Sequence, residues 1–259
     1  MSMTTSLDVG SLALSLAMAA AAGLVGCFAV MRKMTLAADA LSHVALPGIG
    51  LAILLRANPL VGAIATLAAG TILIWAVERH TGISTETIVG VVFSVALAVG
   101  TMITPGEALI DALFGGAGKI SSIEVVAGLA AAIAIVVFIA MKRHELVVTL
   151  VSPEIALTCG IDVSRLNLMY LLTFALTVAL GLRYLGVLLM GSLMIIPAAT
   201  ARRLASNLRA MFSISAAVAV LSTLAGTYIA SVMNRQTGPV IISAAGALFF
   251  LSLVRPREA

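Results

Sequence analysis

Apolar residues follow one another along this chain in runs of roughly 17–23 residues, and charged residues gather in the short segments between the runs. The runs do not alternate polar and apolar positions, as the strands of a membrane barrel would. A helix needs about 20 residues to cross the hydrocarbon core, and it satisfies its own backbone hydrogen bonds. The pattern predicts about nine membrane-crossing helices, at residues 9–31, 36–55, 59–77, 86–103, 122–141, 166–182, 185–201, 210–232 and 238–254.

The overall composition supports a protein surrounded by lipid. Hydrophobic residues make up 61% of the 259 residues and charged residues only 10%, and the mean hydropathy is +1.18. Soluble domains carry about 25% charged residues. Because the connections are too short for a second folded unit, residues 1–259 are expected to form a single all-α integral membrane domain, a polytopic helix bundle.

The basic residues predict the orientation of the bundle. With the N-terminus outside, eleven of the fifteen basic residues fall in inner segments and four in outer ones. Positive charge is enriched on the cytoplasmic side, so the N-terminus is expected outside and the C-terminus inside. The net charge of +4 then reflects topology and not a nucleic-acid surface. The inner set is Arg32, Lys33, Arg79, Lys142, Arg143, Arg165, Arg202, Arg203, Arg209, Arg255 and Arg257; the outer set is Arg56, Lys119, Arg183 and Arg235.

One predicted helix carries a candidate metal site. Asp39 and His43 are four residues apart, which places them on one helical face. A carboxylate and a neutral imidazole are ligands for divalent transition metals. Since zinc needs about four ligands and manganese about six, a second copy of the chain would have to supply its own pair. The alternative interpretation is a helix-terminal acid near the inner interface and a histidine satisfied in a polar cavity.

The same helix contains Pro47, Gly48 and Gly50. Proline removes a backbone hydrogen bond and kinks a helix, and glycines allow close approach or bending. A kink beside a polar pair would suit a gated pathway. Proline and glycine are also tolerated in membrane helices generally, so an ordinary structural role is the alternative.

The longest predicted inner connection, residues 142–165, contains a short helix of its own. Ser152, Pro153 and Glu154 are typical of an N-cap, a first helical position and a first-turn acid, and Gly160 is typical of a C-terminal stop. The predicted helix covers about residues 152–160. A helix this short is marginal alone, so we expect it to dock on another protein. The alternative is a loop helix packed on its own domain.

Two further features limit the function classes. Cys27 and Cys159 are far apart in the sequence and are expected to be buried free thiols. No nucleophile is accompanied by a base and an orienting residue, so an enzyme is not predicted.

Six segments together resemble the permease subunit of bacterial zinc and manganese uptake ABC transporters. They are ADALSHVALPG (38–48), STETIVGVVFSVALAVG (84–100), LFGG (113–116), SPEIALTCGI (152–161), GVLLMGSLMIIPAATARRLA (186–205) and GPVIISAAGALFFLSL (238–253).

This resemblance implies a type II-importer-like permease that works as a homodimer in the bacterial inner membrane. It also implies a cytoplasmic ABC ATPase dimer, which would bind ATP and magnesium, and an extracytoplasmic metal-binding protein. Asp39 and His43 match the D-x-x-x-H of the family and would bind or line the metal path. Residues 152–160 match its coupling helix; many relatives have Asp where this chain has Ser152, a change that keeps an N-cap residue.

The sequence therefore predicts a permease subunit that moves zinc or manganese into the cytoplasm, with ferrous iron as the alternative ion. ATP hydrolysis would be supplied by a separate subunit, with no cofactor bound in this chain. One carboxylate and one imidazole per chain suit each of these metals. The alternative is a channel or secondary transporter that works without an ATPase, and the short helix at 152–160 distinguishes the two.

Overall fold

The structure is a computed structural model that describes residues 9–104, 121–185 and 187–254. All regular structure within these ranges is α-helical, which confirms the predicted all-α fold. The LFGG segment at 113–116 lies outside the described residues. The helices are α1 (Val9–Met31), α2 (Thr35–Val44), α3 (Leu46–Leu54), α4 (Pro59–Thr81), α5 (Thr85–Ile103), α6 (Ser122–Val151), α7 (Pro153–Thr158), α8 (Val163–Leu185), α9 (Val187–Leu204), α10 (Leu208–Met233) and α11 (Thr237–Val254).

Seven of these helices are long and apolar enough to cross a membrane. They are α1, α4, α5, α6, α8, α10 and α11. Two more of the predicted crossings remain: α2 and α3 together occupy the second, and α9 occupies the seventh. The chain is thus a multi-pass membrane protein. The count of nine is approximate because the second crossing is divided into two short helices.

Helix α1 lies at the centre of the bundle. In its apolar stretch 67% of the residues are buried, compared with 22% in α4, α5 and α6. Phe28 of α1 packs edge-to-face on Tyr170 of α8, with ring centroids 6.2 Å apart, and tilted against Phe212 of α10. The outer helices expose large apolar side chains such as Val95 and Ile133. Apolar side chains on the outer surface are expected where lipid, not water, surrounds the protein.

Short polar residues fix where the helices begin. The Ser121 hydroxyl accepts from the backbone N–H of Glu124, and the Glu124 carboxylate accepts from that of Ser121. This capping box starts α6. Asn58 and Ser84 are the N-cap residues of α4 and α5, and their side chains accept from the backbone N–H groups of Leu60 and Thr87. The bounds predicted from hydropathy differ most at α6, which continues to Val151 and not only to 141, because it projects past the apolar run.

The second crossing is interrupted at Ala45, two residues before Pro47. Ala45 keeps right-handed helical angles, and Pro47 lies in the first turn of α3, where its missing N–H costs little. The interruption is therefore shallow. It separates α2, which carries Asp39 and His43, from α3, which carries the glycines.

Candidate functional site

Asp39 lies halfway along α2 and is exposed in the single chain. Its neighbour across the helix interface is Gly191 of α9. A Cβ atom at Gly191 would lie 3.2 Å from the Asp39 Oδ1 atom and 3.2 Å from its Cα atom. The absence of a side chain at Gly191 thus leaves room for the carboxylate.

His43 lies one turn further along the same face and is partly buried. Its ring packs against Phe93 of α5, with centroids 5.5 Å apart. The Nδ1 atom is buried and has no hydrogen-bond partner. A buried polar atom without a partner costs about 1–3 kcal/mol, so most folds avoid one. An imidazole kept in this condition is available to a ligand.

Asp39 and His43 do not form a complete metal site alone. Among the described residues, no group of three or more His, Cys, Asp or Glu side chains could hold a metal ion. The pair in one chain offers at most one carboxylate and one imidazole to a cation. It can serve as half of a site or as the lining of a path.

Pro47, Gly48 and Gly50 are packed tightly against α4 and the end of α5. A Cβ atom at Gly48 would lie 2.1 Å from the carbonyl oxygen of Gly62. A Cβ atom at Gly50 would lie comparably close to the hydroxyl oxygen of Thr104. That hydroxyl donates to the Leu46 carbonyl at 3.2 Å. The glycines therefore allow close helix packing. A gating role for Pro47 and the two glycines stays a prediction.

The short helix α7 has the ends that its residue types predict. The Ser152 hydroxyl accepts from the backbone N–H of Ile155 at 3.3 Å, and Pro153 is the first helical residue. Glu154 lies in the first turn, where an acid favours the helix dipole. Gly160 has a φ of 76°, the left-handed conformation that ends the helix.

One face of α7 is exposed. Ala156 is buried, whereas Ile155 and Leu157 are 56% and 62% exposed, and α7 lies outside the apolar spans. Cys159 at its C-terminal end is also exposed, so the expectation that both cysteines are buried is wrong for this one. Because α7 has only six residues, its own side chains do not cover Cys159 at its end. Cys27, in contrast, is buried.

The end of the bundle that carries α7 also holds a polar chain that sequence reasoning missed. Arg32, after α1, donates through Nη1 to the Oδ1 atom of Asn167 on α8. The Asn167 amide donates to Glu78 of α4 at 3.0 Å, and the Glu78 carboxylate also accepts from the Thr85 hydroxyl of α5. We call these four residues the Arg32–Thr85 chain.

The Arg32–Thr85 chain borders a cavity of about 800 Å³ between α7 and the helix ends. The Arg32 guanidinium lies 4.4 Å from the centre of the buried Tyr170 ring. Burial lowers the pKa of this guanidinium, and the electrostatic effects of Tyr170 and Glu78 act in the opposite direction. Arginine stays charged in proteins, so the Arg32 end of this hydrogen-bonded chain carries a fixed positive charge.

Sequence signals for these missed residues exist but are weak. Arg32 is counted above only as an inner basic residue. Asn167 and Glu78 are isolated polar residues near the ends of apolar runs, a position typical of solvated interface residues as well. Gly191 and Ser192 stand between the large apolar residues LLM and LM. This is the stronger signal, because small residues mark close helix contacts.

Comparison with known proteins identifies relatives over almost the whole chain. The profile of the ABC 3 transport family matches residues 7–256. The chain is 32% identical to the high-affinity zinc uptake system membrane protein ZnuB of Haemophilus influenzae over 238 residues, 89% of this chain and 90% of that one. It is 28% identical to the manganese transport system membrane protein MntC of Halalkalibacterium halodurans, covering 89% and 80% of the two chains.

A solved structure shares the fold. PsaBC from Streptococcus pneumoniae, solved in complex with a Fab, superposes with a TM-score of 0.83 at 26% identity. The match covers 96% of this chain and 92% of that one.

Proposed function

Because this chain belongs to the ABC 3 transport family, we propose that it is the membrane-spanning permease subunit of an ATP-driven importer for zinc or manganese. The family match over residues 7–256 is the observation that carries this proposal. The substrate follows from the relatives, which are named as zinc uptake and manganese transport proteins. The chain itself would bind no ATP, since hydrolysis belongs to a separate subunit.

The metal ion would pass Asp39 and His43. The exposed carboxylate and the unpaired Nδ1 atom support this role, because both would find a partner in an ion or in a second copy. We propose a homodimer in which two copies of α2 face one central path, doubling the ligands to two carboxylates and two imidazoles. A path enclosed by protein also meets the rule that ionisable groups in a membrane avoid lipid.

The ATPase would dock on α7. The exposed Ile155 and Leu157 side chains support this role, since they lie beyond the apolar spans where lipid would not cover them. Glu154 is exposed on the same helix. Ser152, Pro153 and Gly160 would define where this coupling helix begins and ends.

The remaining partners and the orientation follow from this assignment. We propose a cytoplasmic ABC ATPase dimer at the α7 end and an extracytoplasmic metal-binding protein at the opposite end. The membrane would be the bacterial inner membrane, with the N-terminus outside and the C-terminus inside.

Reconstitution of the permease with its cognate ATPase into liposomes tests the proposal. We expect uptake of radioactive zinc or manganese to require ATP hydrolysis and to stop with a non-hydrolysable ATP analogue. Competition between the two metals then identifies the preferred ion. Uptake at the same rate by the permease without the ATPase would instead establish a channel or a secondary transporter.

A further inference from the structure

The Arg32–Thr85 chain joins α8, the helix that follows α7, to the turn that leads from α1 into α2, the helix that carries Asp39 and His43. Arg32 lies in the short turn between α1 and α2, and Asn167 lies in the first turns of α8. The two residues are 135 positions apart in the sequence. Their hydrogen bond adds a polar link to the apolar packing of α1 on α8, where Phe28 contacts Tyr170.

The connection between α7 and α8 is short and well ordered. The Ile161 N–H donates to the Ala156 carbonyl at 3.0 Å, which closes the end of α7. The Asp162 carboxylate then accepts from the Arg165 N–H at 3.0 Å and caps α8. Only four residues separate the two helices. A displacement of α7 would therefore act directly on the beginning of α8, where Asn167 lies.

The turn between α1 and α2 is equally short. Lys33 adopts a φ of 60°, and the Met34 N–H donates to the Ala29 carbonyl at 2.8 Å. No side chain caps the start of α2. Helix α2 is held along its sides by α5 and α9, and the one side-chain hydrogen bond described for the turn at its start is that from Arg32 to Asn167.

The other two members of the Arg32–Thr85 chain, Glu78 and Thr85, tie Asn167 to α4 and α5. Glu78 holds the Asn167 amide on one carboxylate oxygen and the Thr85 hydroxyl on the other. The Trp75 ring N–H also donates to the Ser164 carbonyl at 3.1 Å. Asn167 thus joins the α1–α2 turn, through Arg32, to α4 and α5, through Glu78.

From this arrangement we infer that Arg32, Asn167 and Glu78 are positioning residues that transmit movement of α7 to α2 during transport. The inference rests on the proposed function, because it assigns a step within ATP-driven import. Charged hydrogen bonds suit the role, since they are stronger and more directional than neutral ones. None of the three residues needs to touch the metal.

The test uses the reconstituted permease–ATPase complex and measures metal ions imported per ATP hydrolysed. Asn167→Leu removes both hydrogen bonds at similar volume, and Arg32→Met keeps an apolar stem over Tyr170. For each we expect this ratio to fall at least fivefold while ATP hydrolysis stays within about twofold. The double variant should match the single ones, because both changes break the same link.

Two further variants complete the series. Arg79→Met is the matched control, since Arg79 borders the same cavity and stacks on Trp75 but does not belong to the chain. It should leave the ratio unchanged. Thr85→Val removes only the last hydrogen bond of the Arg32–Thr85 chain, so it should reduce the ratio less than Asn167→Leu. This milder variant keeps the test available if Asn167→Leu does not fold.

Hydrogen exchange provides a readout independent of metal flux. In the wild-type complex, ATP binding should change exchange in both α7 and α2; in Asn167→Leu the change should remain in α7 and vanish in α2. A parallel loss of hydrolysis and uptake, or an unchanged ratio, overturns the inference. Absence of ATP-dependent uptake in the wild type would refute the proposed function itself.

Discussion

Helices α2 and α3 occupy one predicted crossing but differ in how they are held. Helix α3 packs on α4 through its glycines. A Cβ atom added at Gly48 would lie 2.1 Å from the Gly62 carbonyl oxygen. Helix α2 carries an exposed Asp39 and an imidazole whose buried Nδ1 atom has no partner. On the proposed function, α3 contributes stability through this packing, while the polar groups of α2 are left for the metal ion. Functional sites commonly carry such local costs.

The sharpest way to test this division is to remove the polar groups of α2. Asp39→Asn and His43→Ala should each reduce metal uptake about a hundredfold in the reconstituted complex. Assembly with the ATPase and the thermal unfolding temperature should stay unchanged, because neither side chain makes a described hydrogen bond that holds the fold. His80→Ala is the matched control, since His80 is an exposed histidine on α4. Normal uptake at limiting metal by both variants would remove α2 from the pathway.

A change in the contact between α3 and α4 should have the opposite effect and lower the stability of the fold. Gly62→Val places a branched side chain against the Gly48 carbonyl and should cost about 3 kcal/mol, the upper end for overpacking. We expect a lower unfolding temperature and reduced yield of the assembled complex. Gly90→Ala on α5 is the control, because nothing lies within 4 Å of its added Cβ. Equal stability of the two variants would show that the close packing is not what holds α3.

The division between α2 and α3 is only partly visible in the sequence. Hydropathy predicts a crossing at 36–55, and the spacing of Asp39 and His43 predicts their common face. Proline and glycine in that crossing predict a deformation, since both residues alter helix geometry in general. They do not reveal that Gly48 meets Gly62, because that contact depends on where α4 lies.

The Arg32–Thr85 chain was hidden for a related reason. Arg32, the Glu78–Thr85 pair and Asn167 are distant from one another in sequence, and each residue alone is compatible with a solvated helix end. The helix ends themselves were easier to predict: Ser152, Pro153 and Gly160 act through neighbours within a few residues. Local chemistry is therefore readable from one sequence, whereas pairings between helices require the fold.

A smaller effect should arise where α9 approaches α2. Gly191→Ala places a Cβ atom 3.2 Å from the Asp39 carboxylate, close enough to displace it by a few tenths of an ångström. We expect the metal concentration for half-maximal uptake to rise about tenfold with little change in maximal rate. The control is Gly246→Ala on α11, which meets no atom within 4 Å. If instead only the unfolding temperature falls, Gly191 serves packing and not the position of Asp39.

The smallest expected change concerns the hydrogen bond at the start of α3. Thr104→Val keeps the shape of the buried side chain but removes the hydroxyl that donates to the Leu46 carbonyl. Such a bond contributes about 1 kcal/mol, so unfolding should shift slightly while uptake per assembled complex stays constant. A fall in uptake without loss of stability would contradict the division, because it would make α3 part of the moving pathway along with α2.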